Sequence, residues 1–235
     1  MEETVNNRPI FTLAPRLMCC ADMVRKGAKV VDIGTDHAYL PIWLAKQNII
    51  EHAIAADLRQ GPLDNADTNI RKYRVEGIIE TRLSNGLDKI NENEADDIII
   101  AGMGGELISN IILGADWLKN PDKRIILQPM TSVKELRVFL DEQGFSILRE
   151  VAVFSEGKVY TVMYCWYTGE AYERDELYPY IGMMMNEPNE AAYIYVQREI
   201  YHIKNKIKGL EASGNSREIE HLKNIVNKLN GTINK

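Results

Sequence analysis

The sequence predicts an α/β protein: a mostly parallel sheet of seven strands with helices on both faces, closed by an antiparallel hairpin and followed by a helical tail. Three observations lead to this fold class. Short apolar runs alternate with helical stretches over the first 130 residues, which is typical of a parallel sheet covered on both sides. The next two apolar runs are separated by three turn-forming residues. The last 40 residues or so carry heptad spacing.

The elements follow in order along the chain. A helical stripe over 12–25 comes first, and Gly27 is expected to end that helix. Five segments are predicted as parallel strands, and Pro129 is expected to stop the fifth. They are 29–33, 53–57, a short third strand at 80–83, 97–101 and 124–128. Residues 145–154 and 158–167 form the predicted hairpin, joined by the turn 155–157.

The end of the chain has a different pattern. Apolar residues recur every three or four positions over 193–210 and again over 219–229, with turn-forming residues at 212–216. This pattern predicts two helices in an antiparallel, coiled-coil-like hairpin. We therefore expect two domains, 1–170 and 171–235. The stripe itself leaves open whether the hairpin is a structural appendage, a dimer contact or an arm for a macromolecule.

Composition excludes several classes of protein. No apolar run approaches membrane-spanning length, and Cys19, Cys20 and Cys165 have neither disulfide-frame nor metal-ligand spacing. These features predict a cytoplasmic protein with no metal, and a monomer is favoured. The net charge of −6 argues against bulk attraction to nucleic acid. Residues 198–235 nevertheless hold eight bases and four acids, so an anionic partner remains open.

The ends of the first two strands indicate a nucleoside-cofactor site. The first strand ends in Asp32-Ile33-Gly34, and the second ends in Asp57, twenty-five residues after Asp32. A glycine allows a tight turn there. An acid at the end of the second strand lies where a cofactor ribose binds in such βαβ units. We expect Asp57 to accept hydrogen bonds from the ribose hydroxyls.

The turn after the first strand narrows the choice of cofactor. Residues 34–39 contain one glycine, whereas a dinucleotide-binding turn has three. Asp36 would repel a pyrophosphate and attract the ammonium of an amino acid. The turn thus favours S-adenosylmethionine over NAD, with Asp32, Thr35 and His37 as further contacts. The alternative is that Asp36 and His37 only cap the helix that begins near Tyr39.

Two further strand ends offer candidate ligand contacts. Leu58 could lie on one face of the adenine, and Asn85 or the backbone around Gly86 could hydrogen-bond its edge. The loop after the fourth strand is rich in glycine and lets a substrate approach the backbone closely. Its candidate residues are Ala101, Gly102, Met103 and Gly104.

Four strings, 31–41, 61–63, 85–87 and 100–105, closely resemble the bacterial TrmK family of tRNA (adenine-22-N1)-methyltransferases, which use S-adenosylmethionine. The resemblance runs from about residue 12 to the C-terminus and includes 126–130, 157–160 and the tail. It implies a Rossmann-like class I methyltransferase domain with a coiled-coil-like C-terminal domain. Many amino-methylating enzymes have an Asn-Pro-Pro-Tyr-type loop where this chain has Ala-Gly-Met-Gly-Gly, so no asparagine role is carried over.

The expected reaction is direct transfer of a methyl group to the lone pair of adenine N1. We expect Asp36 to stabilise the positive charge that develops on the base, and Tyr39 or Met103 to stack on it; for Tyr39 the alternative is packing on the helix face. Five basic residues of the tail are candidate tRNA contacts: Arg198, Lys204, Lys206, Lys208 and Arg217. The alternatives are an S-adenosylmethionine enzyme with another substrate, or a non-catalytic RNA-binding module.

Overall fold

A computed structural model of the chain describes residues 11–170, 172–211 and 216–233. Seven strands form one sheet in the order β3-β2-β1-β4-β5-β7-β6. The strands are β1 Lys29–Ile33, β2 His52–Asp57, β3 Ile79–Leu83, β4 Asp97–Gly104, β5 Arg124–Thr131, β6 Phe145–Ser155 and β7 Lys158–Tyr167. The helices are α1 Pro15–Ala21, α2 Tyr39–Lys46, α3 Gln60–Tyr73, α4 Gly105–Leu113, α5 Val133–Glu142, α6 Tyr178–Ile181, α7 Glu190–Glu211 and α8 Ser216–Ile233.

The sheet has the predicted class. Strands β1 to β5 are parallel, and β7 pairs antiparallel with both β5 and β6. Alternate residues of a strand face opposite cores: Val31 packs on the side of α4 and α5, whereas Val30 packs on the side of α2 and α3. Burial on both faces explains why these strands read as continuous apolar runs.

Strand order places a crevice at the centre of the sheet. The chain moves outward from β1 to β2 and β3, then returns to place β4 on the other side of β1. The connections on either side of β1 therefore leave in opposite directions. In open α/β sheets, ligands bind at such a switch point, beyond the carboxyl ends of the strands.

Three predicted boundaries were wrong. Strand β4 does not end at Ala101 but continues to Gly104, because Met103 and Gly104 pair with the extended β5. Helix α1 ends at Ala21 and does not continue to Gly27, because the following segment is drawn to a distant acid: Arg25 donates from its backbone nitrogen and its Nε to Asp97, at 2.8 and 2.7 Å. Strand β5 does not stop at Pro129 but runs to Thr131. There β5 pairs with β4 alone and the register shifts on both sides of the Met103–Pro129 pair, and an irregular position of this kind is where a sheet accommodates proline.

The hairpin turn and the helical tail agree with the predictions. Glu156 and Gly157 both have positive φ between the paired residues Ser155 and Lys158, as a two-residue hairpin turn requires. Helices α7 and α8 share a third core, which also includes Ala152 and Val159 of the β6–β7 hairpin. Residues 212–215 of the predicted turn lie outside the described residues, and the domain boundary at 170 stays a prediction.

Among the described residues, no helix is both long and apolar enough to cross a membrane.

Candidate functional site

The carboxyl ends of the central strands meet at one edge of the sheet. The backbone nitrogens of Gly34 and Thr35 donate to the carbonyl oxygen of Ala56 at 2.8 and 3.1 Å, which ties the turn after β1 to the end of β2. Ser84 in turn donates from its backbone to the carbonyl of Asp57 at 2.9 Å. The sequence-predicted contacts at these strand ends are thus brought side by side.

A cleft of about 360 Å³ opens at this edge, beside the turn after β1. Helix α1 forms one side and the start of α2 another, and the floor comes from the ends of β1 and β4. The lining residues are Arg16, Leu17, Asp32, Gly34, Thr35, Asp36, His37, Tyr39, Leu40, Ala101 and Gly102. Seven of these eleven residues were predicted as cofactor contacts, and Tyr39 was predicted to act on the base.

The turn needs glycine at position 34 for two reasons. Gly34 has a φ of +78°, and a Cβ built there would lie 2.3 Å from the Cε of Met103. The glycine thus supplies a backbone conformation that other residues rarely adopt and leaves room for a side chain from the β4 end. Met103 is half-buried, packs against the core under β1, and is not among the cleft-lining residues.

The capping alternative for Asp36 and His37 was wrong. The residue before helix α2 is Ala38, in the left-handed conformation, and no side chain caps the helix. The Asp36 carboxylate is 65% exposed and lies 3.3 Å from the Nε2 of His37, so it remains open to the cleft. Asp36 also has a positive φ of 35°, a conformation that aspartate and asparagine tolerate better than most residues.

Asp32 is the buried acid of the cleft. It accepts a hydrogen bond of 2.6 Å from the Thr35 hydroxyl. Burial raises the pKa of Asp32 from 3.8 to about 6, against the lowering effect of the Thr35 hydrogen bond and with a further contribution from the Asp57 charge. A carboxylate held this way gains from a cationic partner, because the partner offsets the cost of burying its charge.

Asp57, Leu58 and Asn85 continue the site along the sheet edge, outside the cleft. Asp57 is buried and accepts a hydrogen bond of 2.8 Å from the backbone nitrogen of Arg59. Leu58 is 64% exposed, so its side chain is accessible at the sheet edge. Asn85 is exposed, and its side-chain nitrogen donates to Asp88 at 3.2 Å.

The position of Tyr39 is compatible with both predicted roles, stacking on the base and packing on the helix face. Its ring contacts Phe11 at a centroid distance of 4.9 Å and His37 at 5.4 Å, so one part of it is packed. The side chain nevertheless lines the cleft and is 41% exposed. It therefore keeps a free surface on which a base could stack.

Sequence reasoning missed Arg16 and Gln128. Arg16 lies at the start of α1, and its Nη1 donates to the Oε1 of Gln128 at 3.0 Å. The backbone nitrogen of Gly102 donates to the same oxygen at 3.2 Å. Gln128 ends the predicted fifth strand, so the rule that strand ends carry ligands could have identified it; Arg16 is 112 residues away and carried no such signal.

Comparison with known proteins identifies the family. A profile of the methyltransferase-domain family matches residues 13–163. The tRNA (adenine(22)-N(1))-methyltransferase of Bacillus subtilis is 36% identical over 172 residues, covering 73% of this chain and 70% of that protein. The chain belongs to this methyltransferase family.

Solved structures agree with this assignment. The crystal structure of the Bacillus subtilis M1A22 tRNA methyltransferase TrmK has a TM-score of 0.82 at 27% identity, covering 94% of this chain and 99% of that one. The Mycoplasma capricolum TrmK complex with S-adenosyl-homocysteine has a TM-score of 0.78 at 28% identity, covering 96% and 98%. The resemblance inferred from the sequence is confirmed, and it extends over the helical tail.

In this methyltransferase, the basic residues of the tail differ in their exposure and in their ion-pair partners. Lys204, Lys208 and Arg217 are exposed on α7 and α8. Lys206 is paired with Glu218 at 2.8 Å, an interaction that raises the pKa of the lysine, so part of its charge is used within the hairpin. Arg198 contacts the sheet through the carbonyl of Val159.

Arg198 occupies the junction between the tail and the sheet. Its Nη1 donates to the carbonyl of Val159 at 2.9 Å, and its guanidinium lies 4.7 Å from the centroid of the Tyr195 ring. Together with Lys158 it lines a smaller cleft of about 120 Å³, next to Pro129 and Met130 at the end of β5. Positive charge thus reaches the edge that carries the site.

Proposed function

We propose that this methyltransferase transfers the methyl group of S-adenosylmethionine to N1 of adenine 22 in tRNA. The observation that carries the proposal is the cleft at the ends of β1 and β4: two acids and a glycine turn lie where the sheet reverses its strand order. The relatives named above, which share the fold over nearly the whole chain, supply the substrate class.

The residues present fit the cofactor. The Arg16 Nε is buried without a hydrogen-bond partner among the described residues, and Gly34 gives the turn beside it a positive φ without a side chain on the cleft. In our proposal Asp32 and Asp36 hold the ammonium of the cofactor. Asp57 accepts from the ribose hydroxyls, Leu58 covers one face of the adenine, and Asn85 with the backbone of Gly86 faces its edge.

The cofactor supplies a methyl group on a positively charged sulfur. Adenine N1 carries an in-plane lone pair and no proton, so the enzyme needs no general base. The enzyme has to align the base with the methyl group, and such positioning is a main source of the rate enhancement by enzymes. We assign stacking on the base to Tyr39, because the Met103 methyl is occupied against Gly34. The exposed Asp36 carboxylate is placed to stabilise the positive charge that the methylated base acquires.

The helical tail completes the proposal as a tRNA-binding arm. The target base must leave its stack to reach the cleft, while the rest of a tRNA needs a surface of positive charge outside it. Arg198 and Lys158 lie beside the catalytic edge, and Lys204, Lys208 and Arg217 extend the charge along the hairpin.

Primer extension tests the site of methylation. The purified protein is incubated with S-adenosylmethionine and a tRNA transcript, and reverse transcription is compared with that of a transcript in which adenine 22 is replaced by guanine. We expect a stop at position 22 of the first transcript alone. Methylation of both transcripts would indicate another position, and no methylation with intact cofactor binding would favour the non-catalytic RNA-binding alternative.

A further inference from the structure

Arg16 is held at the mouth of the cleft by a residue that cannot move. Gln128 is fully buried within β5, and its Nε2 donates to the carbonyl of Pro129 at 3.0 Å. That bond fixes the amide so that its Oε1 accepts from both Arg16 and the backbone of Gly102. The guanidinium is thereby fixed beside the β4 end before any ligand arrives.

The guanidinium is incompletely paired where it stands. Its Nε is buried and has no partner among the residues that the structure describes. Gln128 is neutral, and a half-buried cation bound only to a neutral amide lacks the charge-assisted partner that such a group ordinarily finds. Two adjacent N–H groups of an arginine match the two oxygens of a carboxylate.

The acidic and basic residues that line the cleft belong to different elements of the fold. Asp32 and Asp36 belong to the turn after β1, whereas Arg16 belongs to α1, and Arg16 is the one arginine or lysine among the described lining residues. A ligand that carries an ammonium and a carboxylate on the same carbon meets both signs in such a cleft. An isolated phosphate would meet the two acids as well, which is unfavourable.

We propose that Arg16 binds the carboxylate of the methionine moiety of S-adenosylmethionine, and that Gln128 is the positioning residue that aims it. This inference rests on the proposed function and deepens it. It gives the cofactor a direction in the cleft: the carboxylate lies toward α1 and the β4 end, and the ammonium lies toward the turn after β1.

Binding measurements with two probes test the assignment. Calorimetry gives the Kd of S-adenosylmethionine and of its decarboxylated analogue, which keeps the adenosine, the sulfonium and the amine. Wild type should prefer the full cofactor. Arg16→Gln should weaken S-adenosylmethionine about tenfold to a hundredfold, the range for loss of a charge-assisted pair, and leave the analogue within about twofold, the scatter allowed for a site not contacted.

Two controls keep the test decisive. Arg16→Lys retains the charge and the packing of α1 but loses the paired donors. Its preference for the full cofactor should therefore fall between those of wild type and Arg16→Gln. If Arg16→Gln unfolds, Arg16→Lys takes its place in the test. Lys26→Gln changes an exposed cation beyond α1 and should alter neither Kd.

Each other outcome overturns the inference in a different way. Equal weakening of both probes by Arg16→Gln would show that Arg16 only supports the fold of the cleft. Unchanged cofactor binding with a raised KM for tRNA would assign Arg16 to an RNA phosphate. Failure of the wild-type protein to bind either probe would instead contradict the proposed function itself.

Discussion

Arg137 and Glu150 form an ion pair whose side chains are both fully buried. The Nε and Nη2 of Arg137 donate to the Oε1 of Glu150 at 3.1 and 2.7 Å. The Nη1 of the same arginine donates to the carbonyls of Pro179 and Tyr180, and Glu150 accepts from the backbone of Met183 at 2.9 Å. The pair therefore joins the sheet domain to the first residues of the helical tail.

Breaking this pair should destabilise the protein strongly. Arg137→Met leaves a buried carboxylate without its partner, and we expect the free energy of unfolding in urea to fall by about 3 to 5 kcal/mol. Lys119→Met, which breaks the exposed pair with Asp116, is the control and should cost under about 1 kcal/mol. Similar losses in the two variants would show that the buried pair has no special role.

Asp57 should contribute to cofactor affinity without being needed for folding. Asp57→Ala removes charge-assisted hydrogen bonds of about 1.5 to 3 kcal/mol, so the Kd of S-adenosylhomocysteine should rise roughly tenfold to a hundredfold by calorimetry. Asp64→Ala, an exposed acid on α3 that is bonded to Gln60, should leave that Kd unchanged. A folded Asp57→Ala protein with wild-type affinity would contradict the ribose assignment.

Asp36 should act through its charge. Asn tolerates the positive φ at this position as Asp does, and no capping bond is lost because none is made. Asp36→Asn should therefore keep the fold and weaken S-adenosylmethionine by about threefold to tenfold, as expected for an exposed charge pair of about 1 kcal/mol. Wild-type affinity and turnover in this variant would remove Asp36 from the site.

Asp32 should make the stability of the unliganded protein depend on pH. Its pKa is raised to about 6, so between pH 4 and 6 the folded state binds more protons than the unfolded state, and the contribution of Asp32 to stability falls as the pH rises. Asp32→Asn removes this dependence. Relative to wild type, the variant should gain up to about 3 kcal/mol between pH 4 and pH 7, corresponding to a shift of about two pKa units.

Urea denaturation of both proteins at several pH values measures that difference. Leu17→Ala is the control, because this residue also lines the cleft and has no ionisable group. Its difference in stability from wild type should stay constant over the same pH range. A constant difference between Asp32→Asn and wild type would mean that Asp32 is not titrating in this range.

The tail should bind tRNA through Lys204 and Lys208, which are exposed on α7. Lys204→Glu with Lys208→Glu should raise the KM for tRNA and flatten the salt dependence of tRNA binding, with cofactor affinity intact. Lys206 is left unchanged, since its reversal would also repel Glu218. Lys26→Glu with Arg71→Glu, before β1 and β3 at the opposite edge of the sheet, gives the same change in net charge. Equal effects of the two pairs would argue against an RNA-binding arm.

Local patterns were sufficient to predict most of the fold. Apolar runs marked the central strands β1, β2, β4 and β5, which are largely buried on both faces, and the heptad stripe marked α7 and α8 because one face of each helix is buried. Strand β3, at the sheet edge, is only partly buried and gave a weaker signal. The errors came from distant partners. The end of α1 depends on Asp97, about seventy residues away, and the course of β5 past Pro129 depends on which neighbours pair there.

The candidate site shows the same contrast between local sequence patterns and contacts with distant residues. Asp32, Gly34 and Asp36 could be predicted because strand ends carry ligands in parallel sheets. Arg16 could not, since it belongs to a helix that precedes the sheet and is oriented by Gln128 across the fold. A sequence shows which strand ends converge, but it does not show which outside helix closes over them.

The contact between Gly34 and Met103 constrains how this site can vary. A side chain at position 34 would need the space of the Met103 methyl and would also have to adopt a φ of +78°, so position 34 is constrained, whereas position 103 can take a shorter residue on its own. A library that randomises both should yield folded proteins with a shorter residue at 103 paired with glycine at 34, but few with a longer residue at 34 and methionine retained. The turn after β1 therefore varies less freely than the end of β4 that packs against it, although the two positions lie about seventy residues apart in the chain.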